Sequence, residues 1–492
     1  MTSSLLVSGT GARCQAALLE DGVVRELRLG PPDGDSIVGN IYKARVVRVL
    51  PGMQCAFLDI GQERSAFLYA GDLGTPPARE EEEKESAPPS EPLSIQQKIQ
   101  PGQEIVVQVK KAAMGTKGAR VTPQVTLPGR HVVYMPNDPH IGVSRRIEDT
   151  AERNRLRALA EEVRPEGSGL IVRTVGEGCT SDELRQDVEI LDASWRDVDT
   201  RARSESAPAL LREDLGIAMV AARDLLRADF EGLRVDTEEE FNRLAAFLER
   251  FMPDCRPLLQ LDTEMPSLFA RYGVEKVIQR ALNRQVRLKS GGTIVIEHTE
   301  ALTAVDVNTG RYVGKKNLED TILTINLQAA KEIAKQLRLR NIGGIIVIDF
   351  IDMTTSENRV KVYEDFVAAL STDPVRTRVL PMSEMGLIEL TRKRVRHSLP
   401  SIVSQDCVHC KGRGWTRSAY EVGRRVVCHV ESTVAKQVGA LRLKVRAHPQ
   451  TVQALKTEHS VALERLETRT GAQITLQPAK EFHVEQYEVT SA

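Results

Sequence analysis

TAVDVNTG (Thr303–Gly310) and GGIIVIDFIDM (Gly343–Met353), with a long amphipathic segment between them, decide how this chain is read. Leu302–Asn308 is rich in β-branched residues and stops just before Gly310, which predicts a strand. Side chains alternate along a strand, so Asp306 and Asn308 point to one face. Leu318, Ile322, Ile325, Ala329, Ile333 and Leu337 then recur at helical spacing, which predicts a helix over 318–339. Asn317 suits its N-cap, and Glu319 and Asp320 suit its first turn. Gly343 and Gly344 stop the helix. Ile345–Phe350 is a short apolar run, as in a strand buried on both faces.

That is one strand–helix–strand unit, and its crossover lays the two strands parallel, as neighbours or one strand apart. Asp306 and Asp349 both fall near carboxyl ends of strands, the edge where open α/β sheets gather their active sites. Two carboxylates brought together there repel unless a cation joins them. Hard oxygen ligands at a partly open site favour Mg²⁺, which takes one or two carboxylates together with phosphate and water. Asn308 could hold one carboxylate or orient the attacking water. Turn and cap roles for Asp306 and Asn308 are the rival reading. Asp352 is an alternative ligand to Asp349 but lies three positions on, beyond the strand. An attack by a ribose 2′-hydroxyl would instead want a general base, for which His298 is the nearby candidate.

Other stretches carry weaker signals. Phe57 and Phe67 lie on consecutive predicted strands of a run of short strands, with Lys111 and Lys117 beyond them. Aromatic rings beside lysines are how small OB barrels hold single-stranded RNA, although two core phenylalanines would look the same. GLIVRTVGEG (Gly169–Gly178) is a buried-type strand ending in Arg173-Thr174, and VSRRI (Val143–Ile147) supplies Arg145 and Arg146. An arginine fork beside a hydroxyl can grip a phosphate. MGLIELTRKRVRHSL (Met385–Leu399) is read as a helix carrying the basic cluster Arg392, Lys393, Arg394 and Arg396, a candidate phosphate-contacting surface. In CVHCKGRG (Cys407–Gly414), Cys407 and Cys410 can occupy two corners of a Zn²⁺ tetrahedron. No second C-x-x-C exists, so the other two thiolates would come from a second copy, or else the site would be closed within the chain by Cys428 and His429, or by His409.

At 492 residues the chain is too long for one core. A formal net charge of −1 gives no global attraction to nucleic acid, so any RNA surface must be a local patch. Seven cysteines, odd in number and mostly scattered, suit a reducing compartment rather than a disulfide framework. With neither a membrane-length apolar run nor a signal pattern, the expectation is a soluble cytoplasmic protein. Val198–Asn283 reads as helical, with packing roles only and a helix start at Asp236. Thr75–Pro92 is acidic and proline-rich, a disordered loop by composition.

VDVNTG, the Lys335–Asn341 helix end, GGIIVIDFIDM and CVHCKGRG, in this order, resemble the ribonuclease E/G family, with similarity along most of the chain. LPGMQCAFLDIG (Leu50–Gly61) and GTKGARVT (Gly115–Thr122) look closer to its G-type than to its E-type members. The resemblance implies a multidomain α/β architecture. An RNase H-like subdomain would be formed by 1–36 and 212–283, with an S1-type OB RNA-binding barrel inserted at 37–126. A 5′-sensor α/β subdomain would follow at 127–211 and a DNase I-like catalytic subdomain at 284–404. A zinc-link at 405–415 and a small α/β dimerisation domain at 416–492 would complete it. By the same resemblance, Asp306, Asn308 and Asp349 are catalytic, with Mg²⁺ on the two aspartates. Phe57, Phe67, Lys111 and Lys117 bind RNA. Arg173 and Thr174 grip a 5′-monophosphate, supported by Arg145 and by backbone at Gly129 and Val133. Zn²⁺ is shared between the Cys407/Cys410 pairs of two subunits, giving a homodimer or higher oligomer. The implied activity is an endoribonuclease acting on single-stranded rRNA precursors and mRNA.

Overall fold

The computed structural model describes residues 2–10, 14–30, 37–73, 95–113, 118–310, 318–436 and 441–491. The acidic segment 75–92, Lys117 and Asn317 lie outside these residues. The chain divides into two compact units, Met1–Val403 and Ser404–Ala492.

Among the described residues the first unit contains four sheets. Strands Ser3–Ser8, Gln15–Glu20 and Val23–Leu29 form a meander whose second turn uses the left-handed conformations of Asp21 and Gly22. Strand Gly232–Val235 adds in parallel to Ser3–Ser8, and Leu259–Leu261 adds in parallel beyond it. Leu5 and Val7 pack on one side against Ala218, Ala221, Leu244 and Leu248. Leu6, Ala17 and Leu19 pack on the other against Phe269, Val274 and Leu339. Val198–Asn283 is therefore not all helical: it contributes the strands Ala209–Arg212, Gly232–Val235 and Leu259–Leu261. These segments are only three or four residues long, too short to show a period between the amphipathic helices Ile217–Leu225 and Glu238–Phe251. Thr237, not Asp236, stands at the N-cap of the second helix. The Asp236 carboxylate instead accepts bonds from Ser8, Gly9 and Thr10.

Strands Ile41–Leu50, Cys55–Asp59, Ala66–Tyr69, Arg120–Thr122 and Glu104–Lys111 close into a five-stranded barrel consistent with an OB-type fold, the first pairing with the last. Ala56, Leu58, Ala66, Leu68 and Val121 fill it. The third sheet runs in the order Ile141–Val143, Gly169–Val172, Val132–Met135, Leu127–Pro128. Helices Thr150–Val163 and Ser181–Ser204 cover it, the latter opened by a reciprocal Thr180–Glu183 capping box.

The fourth sheet is six-stranded, in the order Gln285–Arg287, Thr293–His298, Leu302–Asn308, Gly344–Asp349, Leu387–Arg392, Thr377–Val379. Only Leu302–Asn308 and Gly344–Asp349 are parallel, and they are neighbours joined by helix Leu318–Leu339. That helix and Ser356–Leu370 cover one face, burying Val305, Val307, Ile346, Ile348, Ile388 and Leu390. The opposite face is open. Ile345 is 51% exposed there, so the strand is not buried on both sides as its apolar run suggests. In a mixed sheet with both helices on one face, the other stays available to solvent or ligand.

Leu387–Arg392 is also a strand, where the basic content of Met385–Leu399 reads as helix. Ile388 and Leu390 point inward and Glu389 and Thr391 outward, a period of two that the following cluster of cations obscures.

In the second unit, helix Ala419–Ala435 packs on a three-stranded sheet in the order Gln473–Pro478, Arg442–Ala447, Tyr487–Ser491. The first pair is parallel and the second antiparallel. Helices Pro449–Thr457 and Ser460–Thr470 complete it.

Candidate functional site

The parallel register sets Asp306 directly opposite Asp349. Both side chains emerge on the open face, because Val305, Val307 and Ile348 take the buried one. Asn308, two residues on, donates from Nδ2 to Asp306 Oδ2 at 2.6 Å, so the D-x-N spacing works as expected for a strand. Partial loss of hydration at the strand end raises the Asp349 carboxyl above its ordinary range, and the negative charges of Asp306 and Asp352 raise it further. Among the described residues no third His, Cys, Asp or Glu joins to make a group of metal-ligating side chains. The donors present are thus two carboxylates on an open face. This set fits Mg²⁺, which leaves its remaining positions to water and phosphate. Gly310 completes the site's rim. Its φ of +61° is left-handed, and a Cβ there would lie 2.3 Å from the Gly291 carbonyl, so the chain can turn after Asn308 only with glycine. His298 pairs with Thr303, at the far end of the hairpin from Asp306, and its ring bonds the Thr303 hydroxyl at 3.0 Å.

Two sets of contacts hold the loop after Asp349, one buried and one at the surface. Asn326, fully buried on the crossover helix, donates to Ile351 O at 2.8 Å and accepts from Ile351 N at 3.2 Å. Two turns earlier, Glu319 accepts from the backbone amides and hydroxyls of Thr354 and Thr355 and from Asn358 Nδ2. The side-chain bonds from Thr354 and Asn358 pull its carboxyl down to about 2. The sequence reading passes over Asn326; its only signal is an amide on the apolar stripe of a helix.

Around Arg173 the structure brings several of the other singled-out residues together. Arg173 donates to Gly129 O at 2.6 Å and pairs with Asp224 at 2.8 Å. Thr174 and Ser144 share a 2.9 Å hydroxyl contact, which places Arg145 beside them in sequence. The Gly129 amide is engaged by Val132 O, and Val133 sits within the sheet opposite Pro128 and Ile171. Arg146 reaches away, donating to the carbonyls of Asp373 and Pro374. Burial alone would raise the Asp224 carboxyl, but Arg223, Arg173 and Arg28 outweigh it and hold it well below the ordinary range. Asp224 lies in the segment read as packing only; the Arg223-Asp224 charge pair within an apolar helix was the available clue.

On the barrel, Phe57 and Phe67 are directly opposed and half-exposed, their rings edge to face with centroids 6.0 Å apart. They are not core. Lys111 is exposed two strands further on. The basic cluster is partly internal. Arg392 is buried against Asp373 at 2.7 Å and bonds Ile342 O, and Arg396 pairs with buried Glu26 at 3.2 Å. Lys393 and Arg394 stay exposed.

A model described as the ribonuclease E/G family matches residues 126–395. The chain belongs to the ribonuclease E/G family. A second model, described as the RNase E/G thioredoxin-like domain, matches residues 406–492. Ribonuclease G of Haemophilus influenzae is 41% identical over 492 residues, which is 99% of this chain and 98% of its own length. Ribonuclease G of Escherichia coli is 40% identical over 495 residues, 99% of each. Ribonuclease E of Nostoc is 39% identical over 405 residues, 82% of this chain and 57% of its own. The ribonuclease G relatives thus match over nearly their whole length.

In the second unit of this ribonuclease E/G family chain, Cys407 is exposed and Cys410 partly so. Backbone amides of Cys410 and His409 converge on the Cys407 sulfur and lower its pKa, the environment of a thiolate ligand. The intrachain candidates are engaged elsewhere: His409 stacks on His483, His429 meets the Tyr487 ring, and Cys428 lies 3.9 Å from Arg424. The two thiols fit half of a tetrahedral zinc site.

Proposed function

We propose that this endoribonuclease cleaves single-stranded, A/U-rich RNA by Mg²⁺-dependent hydrolysis at Asp306 and Asp349, and that a 5′-monophosphate end stimulates it. The observation that carries this reading is the direct opposition of two carboxylates on adjacent parallel strands, on a sheet face that no helix among the described residues covers. Burial raises the Asp349 carboxyl and the charges of Asp306 and Asp352 raise it further, a repulsion that a bound cation would offset. When bound, Mg²⁺ supplies the positive charge that offsets charge developing on the scissile phosphate. Asn308 fixes the Asp306 carboxylate in orientation, and Asn326 and Glu319 hold the strand end that presents Asp349. Hydrolysis by water gives 5′-phosphate and 3′-hydroxyl ends.

In this reading the barrel is an S1-type RNA-binding domain, with Phe57 and Phe67 stacking bases and Lys111 meeting phosphate. The third sheet is the 5′ sensor, with Arg173 and Thr174 taking the terminal phosphate and Arg145 beside them. The six-stranded sheet is DNase I-like, and the sheet containing Ser3–Ser8 is an RNase H-like scaffold. Zn²⁺ joins the Cys407/Cys410 pairs of two copies into a cytoplasmic homodimer. The substrates are rRNA precursors, at the 5′ end of small-subunit rRNA, and mRNA.

The test compares cleavage of one short A/U-rich RNA carrying a 5′-monophosphate or a 5′-hydroxyl, in Mg²⁺ and in EDTA. It is run with the wild type, Asp306→Asn and Arg173→Ala. Cutting that needs the metal, is lost in Asp306→Asn and loses only its 5′-monophosphate preference in Arg173→Ala supports the reading. Full cutting by Asp306→Asn removes the acidic site from it.

A further inference from the structure

Across the outer face of the barrel, one residue from each strand falls in a single transverse row. Arg48 stands opposite Phe57, Phe57 opposite Phe67, Phe67 opposite Arg120, and Arg120 opposite Lys111. Cross-strand partners sit about 5 Å apart, so cations flank two rings in an unbroken band. Tyr69 lies one step off this row. It is two residues beyond Phe67 on the same strand, about 6.7 Å along it, and therefore faces the same way. Tyr69 is 45% exposed.

The surroundings of Tyr69 are organised. The Arg120 guanidinium lies 6.0 Å from the ring centroid, within cation–π range. That guanidinium is fixed by two bonds to Asp72, at 2.7 and 3.0 Å, and Lys110 takes the other Asp72 oxygen at 3.1 Å. Asp72 itself is buried. Gly71 leaves room for the ring to lie down, since a Cβ at that position would come within 3.0 Å of it. A solvent-facing ring backed by a locked cation, one strand step from two opposed phenylalanines, is a surface for an unpaired base.

We propose that Tyr69 is a third base-stacking position of the barrel, so that this face takes three consecutive unpaired nucleotides of RNA. The proposal rests on the barrel being the RNA-holding surface. The full-length chain is titrated in EDTA with a graded series of fluorescein-labelled oligouridylates, and anisotropy reports binding. Tyr69→Leu is expected to weaken trinucleotides and longer RNAs by about tenfold and to leave dinucleotides unaffected. Its salt dependence should match wild type, because stacking releases no counterions. Tyr69→Phe should bind as wild type, and Gly71→Ala should weaken binding by tilting the ring. Phe57→Leu is the control and should weaken every length. If Phe57→Leu weakens binding while Tyr69→Leu does not, the third position is overturned and the barrel surface stands. If neither weakens binding, the barrel reading falls and the third position falls with it. Thermal unfolding of each variant separates a binding loss from a folding loss; Tyr69 being on the surface, all should melt as wild type.

Discussion

Asp306 and Asp349 are neighbours at Cα level on one open sheet face, and burial together with the charges of Asp306 and Asp352 makes ionisation of Asp349 harder. In the proposed reading a cation would relieve that repulsion, and an RNA phosphate would complete the assembly. Asp306→Asn should slow cleavage by roughly a hundredfold to a thousandfold, read as single-turnover rate in saturating Mg²⁺, with RNA binding in EDTA unchanged. Asn326 acts at one remove. Replacing it with leucine leaves the Ile351 amide and carbonyl without partners, at about 1–3 kcal/mol for each group left buried. Asn326→Leu is expected to lower the melting temperature and to reduce kcat with KM unaltered. Asp306, Asn308 and Asp349 are legible in the sequence, because a strand's period of two and a crossover's parallel pairing place them without reference to distant chain. Asn326 is not, because its partner is a backbone group that only the folded helix–strand distance brings near. Asp224 escapes for a similar reason: its partners Arg28 and Arg173 lie far from it in sequence, on two different sheets.

The helix Leu318–Leu339 has the bounds its apolar periodicity predicts, since twenty-two residues give six turns of signal and the stripe is buried from Ile322 onward, although Leu318 at its start is exposed. The strand Leu387–Arg392 was hidden because its last inward residue is Arg392, a charge where the pattern needs an apolar side chain. Burial is tolerated there because Asp373 accepts two bonds from Nε and Nη2 along one edge of the guanidinium, and Ile342 O accepts from Nη1. The short strands of Val198–Asn283 carry too few residues for any period. At the start of the crossover helix, Glu319 ties two elements together through its five acceptor contacts. Its carboxyl is held at about 2, below the ordinary 4.5, so the contribution is complete above pH 4.5 and is lost as pH falls toward about 2. Acid-unfolding curves of wild type and Glu319→Gln should therefore differ near neutrality and converge at the acid end of that window.

On the scale of the first unit, charge pairs run continuously from the third sheet to the crossover helix of the six-stranded sheet. Arg173 meets Asp224, Asp224 meets Arg28, Arg28 meets Glu26, and Glu26 meets Arg338 near the end of helix Leu318–Leu339. Burial would raise the Glu26 carboxyl, but Arg28, Arg396 and Arg338 hold it lowered. Glu26→Gln leaves those guanidiniums without their counter-charge and should destabilise the unit by about 3–5 kcal/mol, measured by denaturant unfolding. In the second unit, a zinc-link predicts about one zinc per two chains. Cys407→Ser, or a strong chelator, should reduce the mass seen by light scattering to that of a single chain. The order of the first sheet has a consequence for the making of the protein. Strand Ser3–Ser8 emerges first, yet its parallel partner Gly232–Val235 follows roughly 220 residues later. At 5–20 residues per second, translation leaves that strand edge open for roughly ten to forty-five seconds. Leu5, Leu6 and Val7, fully buried in the finished fold, are during that interval an apolar edge that a ribosome-associated chaperone can shield and another nascent chain can pair with.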